Sequence, residues 1–308
     1  MIKRGEVLKS FGDVIKFARE RGPKIISVAC SHDKEVLSAI DMAIKEGIAN
    51  AILVGDIDKT REIAKKLNIN LEEYTLIDEK DTVKASLKAV KLVSEGKADM
   101  VMKGFVDTAI ILKSVLNKEV GLRTGNILSH VAVFDVKGYD RLFFITDVAM
   151  NLAPDLIDKK KIINNACIVA HALDIDCPKV AVICAKEKVN PKMKATLDAK
   201  ELEEMYLNGE FKDCEVGGPF ALDNAISEES AKHKGINHSI AGKADILLVP
   251  NIEAGNVLYK SLVFCSESKN AGIIVGAKAP IILTSRADSE YSKLNSIALG
   301  VLIASKIK

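Results

Sequence analysis

The strongest constraint on the fold is an alternation that runs along the whole chain. Short runs rich in β-branched and other apolar residues, such as 25–29, 51–54, 180–184 and 246–249, alternate with longer stretches. The longer stretches carry apolar residues three and four positions apart, which is the spacing of an amphipathic helix. Strands that alternate with helices usually pair in parallel beneath packed helices. The sequence therefore predicts an α/β protein with mainly parallel sheets.

One segment departs from this alternation. In VAVFDVKGYDRLFFIT, residues 131–146, two apolar runs flank a short polar stretch that contains a glycine. This pattern is typical of an antiparallel hairpin. Because it interrupts the strand–helix order, we place a domain boundary near residue 135.

The composition excludes several classes of function. The chain has 308 residues, with 44 basic and 42 acidic side chains and a net charge of +2. This near balance argues against a nucleic-acid partner or an anionic membrane surface. No apolar run approaches the roughly 20 residues of a membrane span, and the N-terminal segment lacks the apolar centre of a signal peptide. We therefore expect a cytoplasmic protein. None of the six cysteines forms a CxxC pair, so we expect buried reduced thiols rather than disulfides or metal ligands.

A serine–arginine pair near the C-terminus is the most informative local feature. Only seven of the 44 basic residues are arginines, and Arg286 directly follows the apolar run that ends in Thr284 and Ser285. A helix is predicted next, because apolar residues recur at 294, 297, 298, 301 and 302. Arg286 thus falls between the C-terminal end of a strand and a helix N-terminus, where α/β proteins bind ligands and anions. The guanidinium also fits a phosphate with two parallel hydrogen bonds.

A structural explanation of the same segment stays open at this point. Ser285 could be the N-cap of the last helix, with Asp288 three residues later completing a capping box. In that case the spacing of the two side chains would reflect helix initiation rather than ligand binding.

Two further loops have the character of ligand-binding loops. Arg123 and Thr124 stand in GLRTGNILSH, whose small residues permit a close backbone approach and whose hydroxyls can donate hydrogen bonds. Lys103 and Gly104 directly follow a predicted strand, and Thr108 opens the next predicted helix. The alternatives are a solvated arginine in a surface loop and an ordinary strand-to-helix turn. From the residues alone, the chain is an α/β enzyme that binds a small anion between two domains.

Longer stretches of the sequence resemble a known family. VGLRTGNILSHVAVFDVKGYDRLFFITDVAMNLAPD, GGPFALDNAIS, KHKGINHSIAGKADILLVPNIEAGNVLYKSLVF and IILTSRADS are similar to the phosphate acetyl/butyryltransferase family, and in particular to its butyryl-transferring members. The resemblance covers nearly the whole chain. It implies reversible transfer of a short-chain acyl group, butyryl above all, between coenzyme A and inorganic phosphate. Acyl-CoA and phosphate would be substrates, and no further cofactor or metal is expected.

The resemblance also implies an architecture. It is a two-domain α/β/α sandwich like that of isocitrate and isopropylmalate dehydrogenases, with the active site in the interdomain cleft. The first domain would take back the C-terminal segment, so that it comprises residues 1–134 and 273–308. The second domain would comprise residues 135–272.

Site residues follow from the resemblance position by position. Acetyl-specific relatives carry a serine–arginine pair that falls on Ser285 and Arg286, but their distal aspartate falls on Ser292. The catalytic base therefore cannot be transferred, and we propose Asp288 and Glu290 from their position alone. We assign seven residues to substrate binding: Arg123, Thr124, Lys103, Gly104, Thr108, Asn256 and Lys260.

Other functions remain possible from the sequence. A pyridine-nucleotide dehydrogenase could share the architecture, although it would need a metal-binding cluster that we do not find. A non-catalytic acyl-CoA or phosphate-binding protein would bind without turnover, and an acyltransferase specific for acyl carrier protein would prefer the carrier to free CoA. A homo-oligomer is the default expectation.

Overall fold

The computed structural model describes residues 8–285 and 288–307, and the chain divides into two compact units. The first unit contains Phe11–Asn126 and the described residues from Asn270 onward, and the second contains Ile127–Lys269 together with residues 8–10. The boundaries predicted from the sequence lie after residue 134 and before residue 273. A boundary at residue 134 would cut strand β5, Ser129–Val136, so the division lies before this strand.

The first unit is built on a mostly parallel sheet. Its strands lie in the order β3-β2-β1-β4-β11-β10, and only β10 runs antiparallel to its neighbour β11. The strands are β1 Lys24–Ala29, β2 Ala49–Gly55, β3 Thr75–Asp78, β4 Met100–Lys103, β10 Ser268–Val275 and β11 Ile281–Ile282. The helices are α1 Phe11–Glu20, α2 Lys34–Lys45, α3 Ile57–Lys66, α4 Thr82–Ser94, α5 Thr108–Val115 and α11 Glu290–Lys306.

The second unit has a sheet in the order β5-β6-β9-β7-β8. Strands β5 and β6 form the antiparallel hairpin that the sequence predicts, and the remaining pairs are parallel. The strands after β5 are β6 Phe143–Thr146, β7 Lys179–Ile183, β8 Glu215–Phe220 and β9 Ile246–Leu248. The helices are α6 Leu156–Ala172, α7 Lys194–Leu207, α8 Leu222–Ile226, α9 Glu228–His233 and α10 Ile252–Cys265. The α/β class with parallel sheets is thereby confirmed.

Helix α11 is the most deeply buried helix segment of the first unit. Every residue from Lys293 to Ala304 is buried, and the helix packs against α1 and α2. Gly300 lets the helix approach the sheet, because a side chain there would press on Met100 and Ile282. The sequence predicted one buried apolar face for this helix, but the structure covers the helix on all sides over these residues. The N-terminal end of α11 is therefore held in place by the core.

Three helices of the first unit begin at an aspartate that caps them. Asp33, Asp56 and Asp81 cap α2, α3 and α4, each by accepting a hydrogen bond from a backbone N–H in the first turn. In the part of the chain that the structure describes, no helix is both long enough and apolar enough to cross a membrane.

A buried ion pair joins two helices of the second unit. Lys159 of α6 donates to Asp198 of α7 at 2.6 Å, and both side chains are less than a tenth exposed. Lys194, whose side chain is 71% exposed, also contacts Asp198 through its ammonium at 2.8 Å. Burial by itself would raise the pKa of Asp198, but the hydrogen bonds from both lysines lower it overall. The ion pair thus stabilises the folded state only while Asp198 is ionised.

We expect Asp198→Asn to lower the free energy of unfolding by about 3–5 kcal/mol, because the Lys159 ammonium loses its counter-charge while it stays buried. Urea denaturation at neutral pH measures this. Lys194→Ala is the control and should cost only about 0–1 kcal/mol, since its ammonium is exposed. The pKa of Asp198 is lowered in the folded state. The difference in the free energy of unfolding between Asp198→Asn and wild type should therefore shrink as the pH falls through that pKa. Equal losses in the two variants would contradict this account.

Candidate functional site

The C-terminal edge of the first unit's parallel strands gathers most of the predicted site residues. Strands β1, β2, β4 and β11 run in the same direction, so their carboxyl ends meet at one edge. Beyond these ends lie Cys30–Asp33, Asp56, Lys103–Gly104 and Thr284–Ser285. Strands β2 and β4 flank β1 on opposite sides, and the chain passes from β1 to β2 and β3 before it returns to β4, so the strand order reverses at β1. Ligands of open α/β sheets bind at such a point.

Gly104 brings the ends of β1 and β4 into direct contact. Its N–H donates to the carbonyl oxygen of Ala29 at 2.8 Å, and the N–H of Phe105 donates to that of Cys30 at 2.8 Å. A Cβ atom on Gly104 would overlap the carbonyl oxygen of Cys30. A glycine is therefore required here by the close approach of two backbones.

Lys103 is buried immediately before this glycine. Its ammonium donates to the carbonyl oxygens of Gly104 at 3.2 Å and Val106 at 3.3 Å, so it orders the loop that follows β4. Thr108 is the exposed first residue of α5, at the same edge of the sheet. The structure thus brings Lys103, Gly104 and Thr108 together in one loop.

The end of β1 contributes two residues that the sequence analysis did not select. Cys30 adopts a left-handed backbone conformation with φ 57°, and burial raises the pKa of its thiol despite the nearby charge of Lys103. His32 packs its ring against Phe105, with the centroids 5.4 Å apart. Burial, with a smaller effect of Lys59, lowers the pKa of His32, which favours the neutral ring. The sequence signal was the polar run SHD directly after an apolar strand.

Ser285 and Asp288 close a tight turn after β11. The backbone N–H of Ser285 donates to Oδ2 of Asp288 at 2.7 Å, and the N–H of Asp288 donates back to the carbonyl oxygen of Ser285 at 3.2 Å. We call residues 285–288 the 285–288 turn. Arg286 and Ala287, between its ends, lie outside the described residues. Ser285 itself is exposed at the edge of the sheet.

The last helix begins after this turn, with Ser289 as its N-cap. The Ser289 hydroxyl accepts from the N–H of Ser292 at 3.2 Å, and Glu290 is the first helical residue. The alternative of Ser285 as N-cap is therefore wrong. Asp288 nevertheless accepts a hydrogen bond from the N–H of Ser285, as the last residue of a capping box does. The spacing of Ser285 and Asp288 is therefore the spacing of a capping box, although Ser285 does not begin the helix. The hydroxyl of Ser292 donates to Oδ1 of Asn270 at 2.8 Å, which occupies it structurally.

Lys293 is the charged residue that the sequence analysis missed at this site. Its side chain is buried, and its ammonium donates to the carbonyl oxygens of Ser285 at 3.1 Å and Asp288 at 2.6 Å. Burial lowers the pKa of Lys293, and Asp288, Asp33 and Glu35 partly offset this. The available signal was its position four residues before Ile297, on the stripe predicted to be buried.

Arg123 and Thr124 lie at the opposite edge of the same sheet. The Thr124 hydroxyl donates to the carbonyl oxygen of Gly276 at 2.5 Å, and the N–H of Lys278 donates to the carbonyl oxygen of Leu122 at 2.8 Å. These bonds join the loop to the turn between β10 and β11, at the N-terminal edge of β11. The structure therefore does not bring Thr124 to the edge of the sheet where Ser285 lies. The backbone of the neighbouring Arg123 also lies at the opposite edge.

The remaining predicted residues belong to the second unit. Asn256 is half-buried and Lys260 is exposed on α10, a helix in which only Gly255 is fully buried. Their role in substrate binding stays a prediction, as does the expected cleft. All six cysteines are free thiols, but Cys177 and Cys265 are exposed. The expectation of burial was wrong for both, and Cys265 is exposed because α10 leaves most of its surface uncovered. Within the described ranges, no group of three or more His, Cys, Asp and Glu side chains is arranged to hold a metal ion.

Sequence and structural relatives define the family. Residues 10–86 and 79–301 match the family model described as phosphate acetyl/butaryl transferase. The chain is 57% identical over 300 residues to a phosphate butyryltransferase of Clostridium beijerinckii, covering 97% of this chain and 99% of the relative. It is 55% identical over 298 residues to the phosphate butyryltransferase of Clostridium acetobutylicum, with coverage of 97% and 99%.

A solved structure agrees with this similarity. The crystal structure of a branched-chain phosphotransacylase from Enterococcus faecalis V583 superposes with a TM-score of 0.81 at 36% identity, over 91% of this chain and 99% of that one. The match therefore extends to the arrangement of the backbone as well as the sequence. The chain belongs to the phosphate acetyl/butaryl transferase family of acyltransferases.

Proposed function

We propose that this protein transfers a short-chain acyl group, butyryl in the first place, reversibly between coenzyme A and inorganic phosphate. Butyryl-CoA and phosphate give butyryl phosphate and free CoA. The observation that carries the proposal is the 285–288 turn at the carboxyl end of β11, in a chain 57% identical to a phosphate butyryltransferase. Two bound substrates would react directly, without a covalent enzyme intermediate.

The residues divide into two roles in this proposal. Arg286, by its sequence position in the turn, binds phosphate through its guanidinium fork. Ser285 offers a hydroxyl to the thiol or to the oxyanion that forms on the acyl carbonyl. The ordered loop of Lys103, Gly104 and Thr108 lines the same edge and contributes to substrate binding. Substrate contacts of Arg123, Thr124, Asn256 and Lys260 stay predictions.

The chemistry can be written with all protons placed. In the direction of thioester formation, the sulfur of CoA attacks the carbonyl carbon of butyryl phosphate and the carbonyl oxygen becomes an oxyanion. The intermediate collapses with cleavage of the carbon–oxygen bond to phosphate. The thiol proton is transferred to the released phosphate, which becomes a proton acceptor when the carbon–oxygen bond breaks. Orienting the two substrates can supply several kcal/mol of the barrier lowering, and fixed donors stabilise the oxyanion.

Asp288 has a structural partner, and this changes its expected role. Its Oδ2 atom accepts the hydrogen bond from the N–H of Ser285, which ties it to the turn. Because the phosphate itself can take the thiol proton, a dedicated carboxylate base is not required. We therefore assign Asp288 to holding the 285–288 turn, and Glu290 remains the predicted alternative for proton transfer.

The protein works in the cytoplasm and self-associates in this proposal. Support for a reducing compartment comes from the six free thiols, since disulfides form where the environment oxidises them. Support for self-association comes from α10, which exposes Val257 and Phe264 to 66% and 71%, and from the prevalence of symmetric homo-oligomers.

The function is tested by following free thiol after addition of phosphate to chelator-treated protein and butyryl-CoA. We expect thiol release that depends on phosphate and needs neither metal nor nicotinamide. Acyl-CoAs of different chain lengths then define the preference, and acyl carrier protein serves as the competing acyl donor. No phosphate-dependent release with any short acyl-CoA would reject the proposal, and tight binding without turnover would favour a binding protein.

Two substitutions separate the roles of Asp288. Asn keeps an oxygen that can accept from Ser285, so Asp288→Asn should retain most of the turnover. Asp288→Ala removes that acceptor and should lower turnover by about 10-fold or more as the turn loosens. Steady-state kinetics at saturating substrates measure both. If Asp288→Asn already loses about 100-fold, the carboxylate takes part in proton transfer and the structural assignment fails.

A further inference from the structure

We propose that Lys293 is a positioning residue for the phosphate site. Its buried ammonium donates to the carbonyl oxygens of Ser285 and Asp288, so that the two ends of the 285–288 turn are held in one geometry. This inference rests on the proposed function, because it assumes that the turn binds the phosphate that reacts. Lys293 is not expected to touch either substrate.

The hydrogen bonds converge on a single nitrogen atom. The Nζ atom donates to the carbonyl oxygen of Ser285 at 3.1 Å and to that of Asp288 at 2.6 Å. A separate pair of hydrogen bonds links Ser285 and Asp288 directly. The two ends of the turn are therefore joined by hydrogen bonds between Ser285 and Asp288. The ammonium of Lys293 then binds the carbonyl oxygen at each end. Arg286, by its sequence position, lies between the two anchored residues.

The anchor is fixed to the core on its other side. Lys293 is 2% exposed and opens the run of buried residues in α11. Its backbone N–H donates to the carbonyl oxygen of Ser289, within the first turn of the helix. Because α11 packs against α1, α2 and β4, the side chain of Lys293 transmits the position of the core to the turn.

An ammonium in this place is costly for the fold. Burial lowers its pKa, and among the described residues no carboxylate lies within ion-pair distance of Nζ; Asp288, Asp33 and Glu35 act on it only through their longer-range fields. An apolar side chain of similar length would fill a buried helix position without that cost. What such a side chain could not do is donate to two carbonyl oxygens.

Lys159 provides an internal comparison. It is another buried lysine, but its ammonium meets the carboxylate of Asp198 and joins two helices of the second unit. That pair stabilises packing between helices. Lys293 instead binds backbone oxygens of the turn beside the reacting groups. The two lysines should therefore respond differently to the same substitution.

The test compares Lys293→Met with Lys159→Met and the wild-type protein. For each we would measure the melting temperature, kcat, and the KM for phosphate and for butyryl-CoA. Lys293→Met should melt close to wild type, yet lose about 100-fold in kcat/KM for phosphate, since a displacement of about 1 Å near the reacting atoms has that effect. The KM for butyryl-CoA should change less. Lys159→Met should melt lower and keep near-normal phosphate kinetics once folded.

A second variant covers the case in which Lys293→Met folds poorly. Lys293→Ala leaves a cavity, and added ethylammonium should enter it and restore phosphate kinetics toward wild type. Wild-type phosphate kinetics in Lys293→Met would overturn the inference. So would an Ala variant whose stability recovers with the amine while its phosphate kinetics do not. If the wild-type protein itself shows no phosphate-dependent thiol release, the proposed function fails first and the inference with it.

Discussion

The burial of α11 is the constraint on which the candidate site depends. The helix is covered from Lys293 to Ala304, and Gly300 lets it lie close to Met100 and Ile282 of the sheet. Its N-terminal end therefore cannot shift independently of the core. Lys293 extends that rigidity to Ser285 and Asp288, the two ends of the 285–288 turn, through their carbonyl oxygens. A site held in this way meets the first requirement for catalysis by orientation, which is a fixed geometry before the substrates arrive.

A second constraint works from the neighbouring strands. Gly104 lets the backbones at the ends of β1 and β4 come into contact, and the buried ammonium of Lys103 orders the loop that follows. Lys103 in the loop after β4 and Lys293 beneath the 285–288 turn act in the same way. In each, a lysine is removed from solvent and donates to backbone oxygens at the carboxyl ends of parallel strands. The edge thus presents two loops whose backbone oxygens are held by buried lysines.

Much of this could be predicted from the sequence, and the failures have identifiable causes. The alternation of apolar runs predicted the parallel sheets, and VAVFDVKGYDRLFFIT predicted the hairpin of β5 and β6. Ser285 fell correctly at the end of a strand. Ser285 stayed open as an N-cap because Asp288 reaches back to Ser285 just as a capping-box residue does, while the helix itself begins after Ser289.

Other features depended on contacts that no local pattern encodes. Thr124 bonds to Gly276, 152 residues away, and this places its loop at the far edge of the sheet. Lys293 was overlooked because a lysine in a helix is normally solvated, and only its register with Ile297 indicated burial. Cys265 ends an apolar run that in the structure belongs to a largely uncovered helix. Tertiary packing decides when a charged residue is buried or an apolar segment is left exposed, and the neighbouring sequence does not show this.

The central claim is that phosphate binds at the 285–288 turn, and its most direct measurement is a comparison of Arg286→Lys with Arg123→Lys in steady-state kinetics. Lysine keeps the charge but loses the guanidinium fork. The account predicts that Arg286→Lys raises the KM for phosphate and lowers kcat, by roughly 10- to 150-fold in kcat/KM, as expected for a lost charge-assisted contact. The melting temperature and the KM for acyl-CoA should change little, and Arg123→Lys should lose much less of the kcat/KM for phosphate than Arg286→Lys. A normal Arg286→Lys enzyme, with the loss appearing in Arg123→Lys instead, would contradict the claim and move the phosphate site away from the turn.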